Sequence, residues 1–368
     1  MRICIDISQI VYPGGVGRYT RELVSNLLKV DQKNQYILFG NSLRQYHTLR
    51  NFINSLKPNT SNLKPKSYPI PPTIVGLLFN RARLSIDPFI GEVDVFHSSD
   101  WTQPKTKAKK VTTVHDLAPI KFPDQHHPKI VEVHKRRLEL VKREVDQVIA
   151  VSQNTKKDLI EILKIPDGKI TVIYEAASDN FKPRNEEEIE KVKNKFGIKK
   201  EYILTVATGG ARKNLPRLFE AYDLIKKDFD LGLVAVGEAQ EGEKEGIIKT
   251  GFLEDSDLAA LYSGAKVFVF PSIYEGFGLP VIEAMACGAP VICSNTSSLP
   301  EVGGEVAIYA DPDSTENIIE GIRKVLRFHG LDYETIKEKS RKQAKKFSWE
   351  KAAKETLKVY TEVLGDRV

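Results

Sequence analysis

The chain has 368 residues, 41% of them hydrophobic and 28% charged, with a formal net charge of +6. This composition excludes a disordered polymer, a collagen and a solenoid, and at this length predicts two globular domains. The mild positive charge suits phosphates, acidic lipids or nucleic acid without selecting any of them; no nucleic-acid partner is expected.

The opening MRICIDISQIVYPGG carries Asp6 inside a short apolar run, so it reads as a first strand and not a signal peptide. Further short apolar runs at Tyr36–Phe39, Val93–Phe96, Val111–Val114, Val148–Val151 and Ile170–Ile173 predict buried parallel strands. Helical periodicities lie between them. VGRYTRELVSNLLKV spaces Val16, Tyr19, Leu23, Leu27 and Val30 along one face, and HPKIVEVHKRRLELVKREVD does the same under a basic outer face. From Phe181 to Lys200 the chain turns charged and apolar-poor, which predicts a surface helix and a linker region.

The alternation then restarts with expected strands at Tyr202–Val206, Leu231–Val236, Ile247–Lys249, Val267–Phe270, Pro290–Cys293 and Ala307–Tyr309. Helices are expected from near Leu215, Asp255 and Pro280. The result is an α/β protein of two Rossmann-like domains, with a cleft expected between them. The C-terminal stretch is helical, with Trp349, Ala352, Ala353, Leu357, Tyr360 and Leu364 as its expected buried stripe. No apolar run reaches eighteen residues, so no membrane span is expected. Cys4, Cys287 and Cys293 form no CxxC pair and have apolar neighbours, which predicts buried free thiols in a reducing, cytoplasmic setting.

The stretch FPSIYEGFGLPVIEAMACGAPVICS holds the most chemistry. It runs from a strand end through Gly276 and Gly278 into a helix opened by Pro280 and stopped by Gly288. Ligands bind at the carboxyl ends of strands in open α/β sheets, and a helix start presents amides that suit phosphate. Glu275 in the turn and Glu283 in the helix are carboxylates able to accept from hydroxyl pairs on two parts of one ligand. Arg212 and Lys213, after VATGGA, pair a planar fork with a point charge, a combination suited to a diphosphate. Asp311 and Asp313 form a DxD-like triplet, but they follow a late strand and precede a helix, so capping is the expected role and no metal site is expected.

PSIYEGFGLPVIEAMACGAPVICSNTSSLPEVGG resembles the signature of the retaining GT-B glycosyltransferases of family 4, with Glu275 and Glu283 at its two glutamates. In chain order, YPGGVGRYTREL, TVHDLAP, GARKNLPRLFEAY and GFLEDSDLAALYSGAKVFVFPS resemble further segments of that family, so the likeness spans nearly the whole chain. It implies an acceptor-side domain over 1–180 and a nucleotide-sugar-binding domain over 181–349. A C-terminal helix of about 350–368 packs back on the first domain in that scheme, although its own periodicity does not choose a domain.

The resemblance also implies roles. Glu283 would hold ribose hydroxyls. Glu275 would contact the transferred sugar, beside the amides of Gly276, Phe277, Gly278 and Leu279. Arg212 and Lys213 would stabilise the departing diphosphate without a metal. The family often has glycine where Ala207 stands and an arginine nearer to it; here Arg212 stands in from beside Lys213, so Lys213 carries more of the assignment. Gly14, Gly15 and Val16 would bring a backbone loop to the diphosphate. His115 would lie near the reacting sugar, with Asp116 orienting its ring or serving the acceptor.

The implied reaction moves a hexose to a hydroxyl of a glycan or lipid-linked acceptor, in surface polysaccharide or glycolipid synthesis. The favoured donor is GDP-mannose, and a UDP-hexose is the alternative; neither is a resident cofactor. KTKAKK and the HKRRLELVKRE helix offer cationic faces for peripheral contact with an anionic membrane, or simply solvated ones. A noncatalytic scaffold or activator of the same fold is a second reading, a UDP-sugar epimerase a third. A dinucleotide dehydrogenase is disfavoured because the first loop lacks GxGxxG spacing.

Overall fold

The computed structural model describes residues 1–56, 62–206, 210–237 and 245–365. The chain divides into two compact units, Met1–Glu175 with Trp349–Val368, and Ala176–Ser348.

The first unit is built on seven parallel strands: β1 (Arg2–Asp6), β2 (Gln35–Asn41), β3 (Leu63–Tyr68), β4 (Val95–Ser98), β5 (Lys109–Val114), β6 (Gln147–Ala150) and β7 (Ile170–Val172). Their order is β3-β2-β1-β4-β5-β6-β7. The chain winds outward from β1 in one direction and from β4 in the other, so the switch point lies between β1 and β4. Central strands such as β4, VFHS, are buried along their whole length, as expected of a sheet covered on both faces.

β3 was not among the expected strands. LKPKSY is polar and carries Pro65, and the strand tolerates both because it lies at the sheet edge.

The helix Trp349–Glu362 packs on the helix Gly15–Val30 within this unit. Its buried face is Trp349, Ala352, Ala353, Thr356, Val359 and Tyr360. Leu357 and Leu364, expected in the stripe, are only half-buried, because the face is turned toward Thr356 and Val359. Tyr360 and the Nδ1 of His97 share a hydrogen bond of 2.6 Å, which ties this helix to β4. Burial, with the nearby charges of His115 and Arg137, pushes His97 down to about 3, so its ring is neutral at pH 7.

The basic helix Pro128–Glu144 is less of a cationic face than its sequence suggests. Arg137 is 1% exposed and pairs with Asp100 at 2.9 Å, while Lys110 of β5 is buried against Glu144. Lys135, Lys142 and Arg143 remain exposed.

The second unit repeats the plan with six strands: β8 (Tyr202–Val206), β9 (Gly232–Val236), β10 (Ile247–Gly251), β11 (Val267–Phe270), β12 (Val291–Ser294) and β13 (Ile308–Ala310). All pairs are parallel, in the order β10-β9-β8-β11-β12-β13, which puts the switch point between β8 and β11. The charged stretch after Phe181 contains the helix Glu186–Phe196, closed at its start by an Asn185–Glu188 capping box. Cys4, Cys287 and Cys293 are buried free thiols. Among the described residues, no helix is long and apolar enough to cross a membrane.

Candidate active site

In the second unit, three neighbouring strands deliver their carboxyl ends to one place. β8 leads to Arg212 and Lys213, β11 to Ser272 and Glu275, and β12 to Ser297 and Ser298. Glu275 is 9% exposed, and its Oε1 accepts from Lys213 Nζ at 2.6 Å and from Ser272 Oγ at 2.6 Å. Arg212 lies 3.2 Å from the same oxygen.

Burial by itself would raise the Glu275 carboxyl; the charges of Lys213 and Arg212, with the two hydrogen bonds, outweigh it and hold the group below its ordinary value. Glu275 is therefore ionised at neutral pH. Two cations, Arg212 and Lys213, thus converge on this one carboxylate, a grouping suited to an anionic ligand. Lys213 Nζ also sits 5.0 Å from the centre of the Phe270 ring, at the end of β11.

The loop around Glu275 is fixed by its backbone. Glu275 N–H donates to Ser297 Oγ at 2.9 Å, and Ser298 Oγ donates to the carbonyls of Glu275 and Phe277 at 2.9 and 2.8 Å. Ser297 holds a left-handed backbone (φ +60°), a sparsely populated state for a side-chain-bearing residue. These serines follow the adjacent strand, some twenty positions from the turn they brace. The only sequence signal for them was the NTSSL run after β12.

Gly276, Phe277, Gly278 and Leu279 follow Glu275 and are all buried. Gly278, at φ +110°, caps the helix Leu279–Ala286, and a Cβ there would meet Leu299 at 2.8 Å. The positive φ is the condition that favours glycine here, since side-chain-bearing residues rarely adopt it. Glu283 is 2% exposed, on a helix whose other buried members are Leu279, Val281, Ile282, Ala284 and Met285.

Ala207 lies outside the described residues. The Asp311–Asp313 triplet does not cap the next helix by itself: Ser314 is the N-cap, accepting from Asn317 N–H at 3.1 Å. Asp313 pairs with Arg217 at 3.1 Å. Among the described residues, no group of three or more His, Cys, Asp or Glu could hold a metal ion.

In the first unit, Gly14 caps the helix Gly15–Val30 at φ +147°, so the amides of Gly15 and Val16 lie in its first turn, without intrahelical partners. This start is held close to the preceding loop by Gly17, where a Cβ would lie 2.3 Å from the carbonyl oxygen of Tyr12.

His115 follows β5 and is buried. Its Nδ1 lies 3.2 Å from Glu175 Oε1, and its backbone carbonyl accepts from Thr155 Oγ1. Asp116, expected to orient this ring or to serve the acceptor, does not bond the ring; it accepts from the N–H of Ala118, because the chain turns into the helix Ala118–Lys121 directly after it. The residue beside the ring is Glu175, sixty positions away, which no local pattern marked.

Two doubly wound units with anion-suited loops at their strand ends define the GT-B architecture. A model of Glycosyltransferase Family 4 matches residues 13–179, and a model of Glycosyl transferases group 1 matches residues 186–346. O-antigen chain mannosyltransferase B of Escherichia coli is 30% identical over 379 residues, covering 98% of this chain and 99% of that one. Among solved structures, a glycosyltransferase from Rickettsia africae superposes with a TM-score of 0.74 at 21% identity, over 99% of both chains. Anabaena HepE, solved with UDP and glucose, gives a TM-score of 0.71 at 16% identity, over 98% of this chain and 99% of that one. The chain belongs to the family 4 glycosyltransferases, and it is a glycosyltransferase.

Proposed function

We propose that the protein transfers mannose from GDP-mannose, with retention of configuration, to a hydroxyl of a glycan or lipid-linked acceptor in surface polysaccharide or glycolipid synthesis. The observation that carries this reading is the Glu275 cluster: one buried carboxylate and two cations, at a switch point beside a glycine-rich helix start. Lys213 and Arg212 meet the diphosphate, Glu275 and the amides from Gly276 to Leu279 meet the sugar, and Glu283 meets the ribose. Gly14, Gly15 and Val16 offer amides to the diphosphate, and His115 meets the transferred sugar.

In the reaction, the bond between the sugar's anomeric carbon and the diphosphate oxygen breaks. A bond to the acceptor oxygen forms on the same face. The departing phosphate takes the acceptor's proton, and the cations stabilise the charge that grows on it. Neither a metal nor a separate protein nucleophile takes part. The mannose assignment is supported by the Escherichia coli relative, whose name specifies a mannosyltransferase. A UDP-hexose donor is the second reading, supported by the UDP-bound Anabaena neighbour. For a lipid-linked acceptor, the exposed Lys135, Lys142 and Arg143 would rest on anionic headgroups at the cytoplasmic face of a membrane.

Calorimetric titration with GDP-mannose, GDP, UDP and several UDP-hexoses, followed by turnover with acceptor, tests the proposal. Preference for GDP-mannose with release of GDP supports it. Interconversion of a UDP-sugar would make the protein an epimerase, and failure to bind any donor would leave a scaffold.

A further inference from the structure

The nitrogen Nε2 of His115 is buried and has no hydrogen-bond partner among the described residues. A buried polar atom left so is costly, and functional sites are where such atoms concentrate. The opposite nitrogen, Nδ1, lies 3.2 Å from Glu175, whose side chain is 5% exposed. Glu175 is the last residue of the first unit before the chain enters the second.

We propose that Glu175 is a positioning residue for His115: its carboxylate accepts the Nδ1 proton, fixes the ring, and keeps it as an imidazolium whose Nε2–H donates to a ligand oxygen. The inference deepens the proposed function, on which it rests for the ligand's identity as a sugar hydroxyl or a phosphate oxygen.

The surroundings agree with a charged ring. Burial would lower the His115 imidazole, but the hydrogen bond and charge of Glu175, with the charges of Asp100 and Asp116, outweigh it and raise the group above its ordinary value. The edge of the Tyr19 ring packs against the imidazole at 4.7 Å between centres. The basic groups close by include His97, whose charge couples to His115, and Arg137 beside His97. His97 is neutral, and Arg137 is paired with Asp100. Glu175 is thus the acidic group that touches the ring, and the others act through space.

The test follows the imidazole directly. Histidine-labelled protein is titrated by NMR, with His115→Gln used to identify the His115 signal among the seven histidines. In Glu175→Gln, His115 should titrate about one pH unit or more below its wild-type midpoint. Glu175→Asp should fall between the two, and it serves as the comparison should the glutamine variant not fold. In turnover, the alkaline limb of kcat should move to lower pH in Glu175→Gln, with the donor KM nearly unchanged.

An unmoved midpoint would overturn the proposal. So would a moved midpoint with an unmoved pH–rate profile. The titration needs no donor, so it decides the pair even if GDP-mannose proves the wrong substrate. Loss of all donor binding in the wild type, with the midpoint shift intact, would count against the proposed function and not against Glu175.

Discussion

The two units carry comparable switch points, but their candidate residues are in different states of completion. In the second unit, one oxygen of Glu275 already accepts from Lys213 and Ser272 and lies beside Arg212. In the first, His115 Nδ1 meets Glu175, and its Nε2 has no hydrogen-bond partner among the described residues. The difference teaches that one fold can prepare a site in two ways. The second unit gathers two cations on one carboxylate, whereas in the first the Nε2 of His115 has no hydrogen-bond partner among the described residues. In the proposed function, a ligand phosphate answers the former and a ligand oxygen the latter.

Breaking the charge cluster should have the largest effect. Lys213→Ala removes the cation assigned to the leaving group in the proposed function, and it leaves Glu275 short of a partner. Its kcat should fall about 10²–10³-fold, the size seen when one preorganised transition-state donor is lost. Steady-state turnover on the preferred donor checks this. Glu283→Ala comes next: calorimetry should show nucleotide affinity falling roughly 10–100-fold, as for loss of charged hydrogen bonds. Glu275→Ala should spare nucleotide affinity and damage turnover, and equal behaviour of the two glutamate variants would reject their separate roles.

Gly278→Ala forces an unfavourable backbone region and a clash with Leu299. It should destabilise the second unit by about 1–3 kcal/mol, read from urea unfolding. Glu275 also makes stability depend on pH. Its folded value is depressed, so its contribution is present above the ordinary carboxyl range and is lost as pH falls through the folded value. The stability gap between wild type and Glu275→Gln should therefore close toward acid pH; a gap that widens there would show the sign to be wrong. The smallest effect is expected from Tyr360→Phe, which deletes the hydrogen bond to His97 and should cost the first unit about 1 kcal/mol.

Much of this architecture is readable in the residues. VFVF of β11 is a continuous apolar run and YILTV of β8 is broken only by Thr205, and short runs of this kind rich in β-branched and aromatic residues are the mark of buried strands. The turn at Glu275 is legible because glycine and proline have local conformational meaning. β3 was not legible, since an edge strand need not be apolar. The exact face of the last helix was missed because Thr356 is buried as fully as the apolar residues beside it. Glu175 and Ser297 were missed for another reason. Each acts on a residue brought near only by the sheet: His115 in one case, Glu275 in the other. Neither pairing has a local period to reveal it.

The central claim is that the second unit's paired cations and carboxylates hold a nucleotide-diphosphate sugar. Calorimetric titration of GDP-mannose into wild type, Lys213→Ala and Glu283→Ala tests it most directly. Saturable binding to the wild type is expected, weakened at least about tenfold by each substitution. Equal affinity in all three proteins, or no binding of any nucleotide sugar by the wild type, would contradict it.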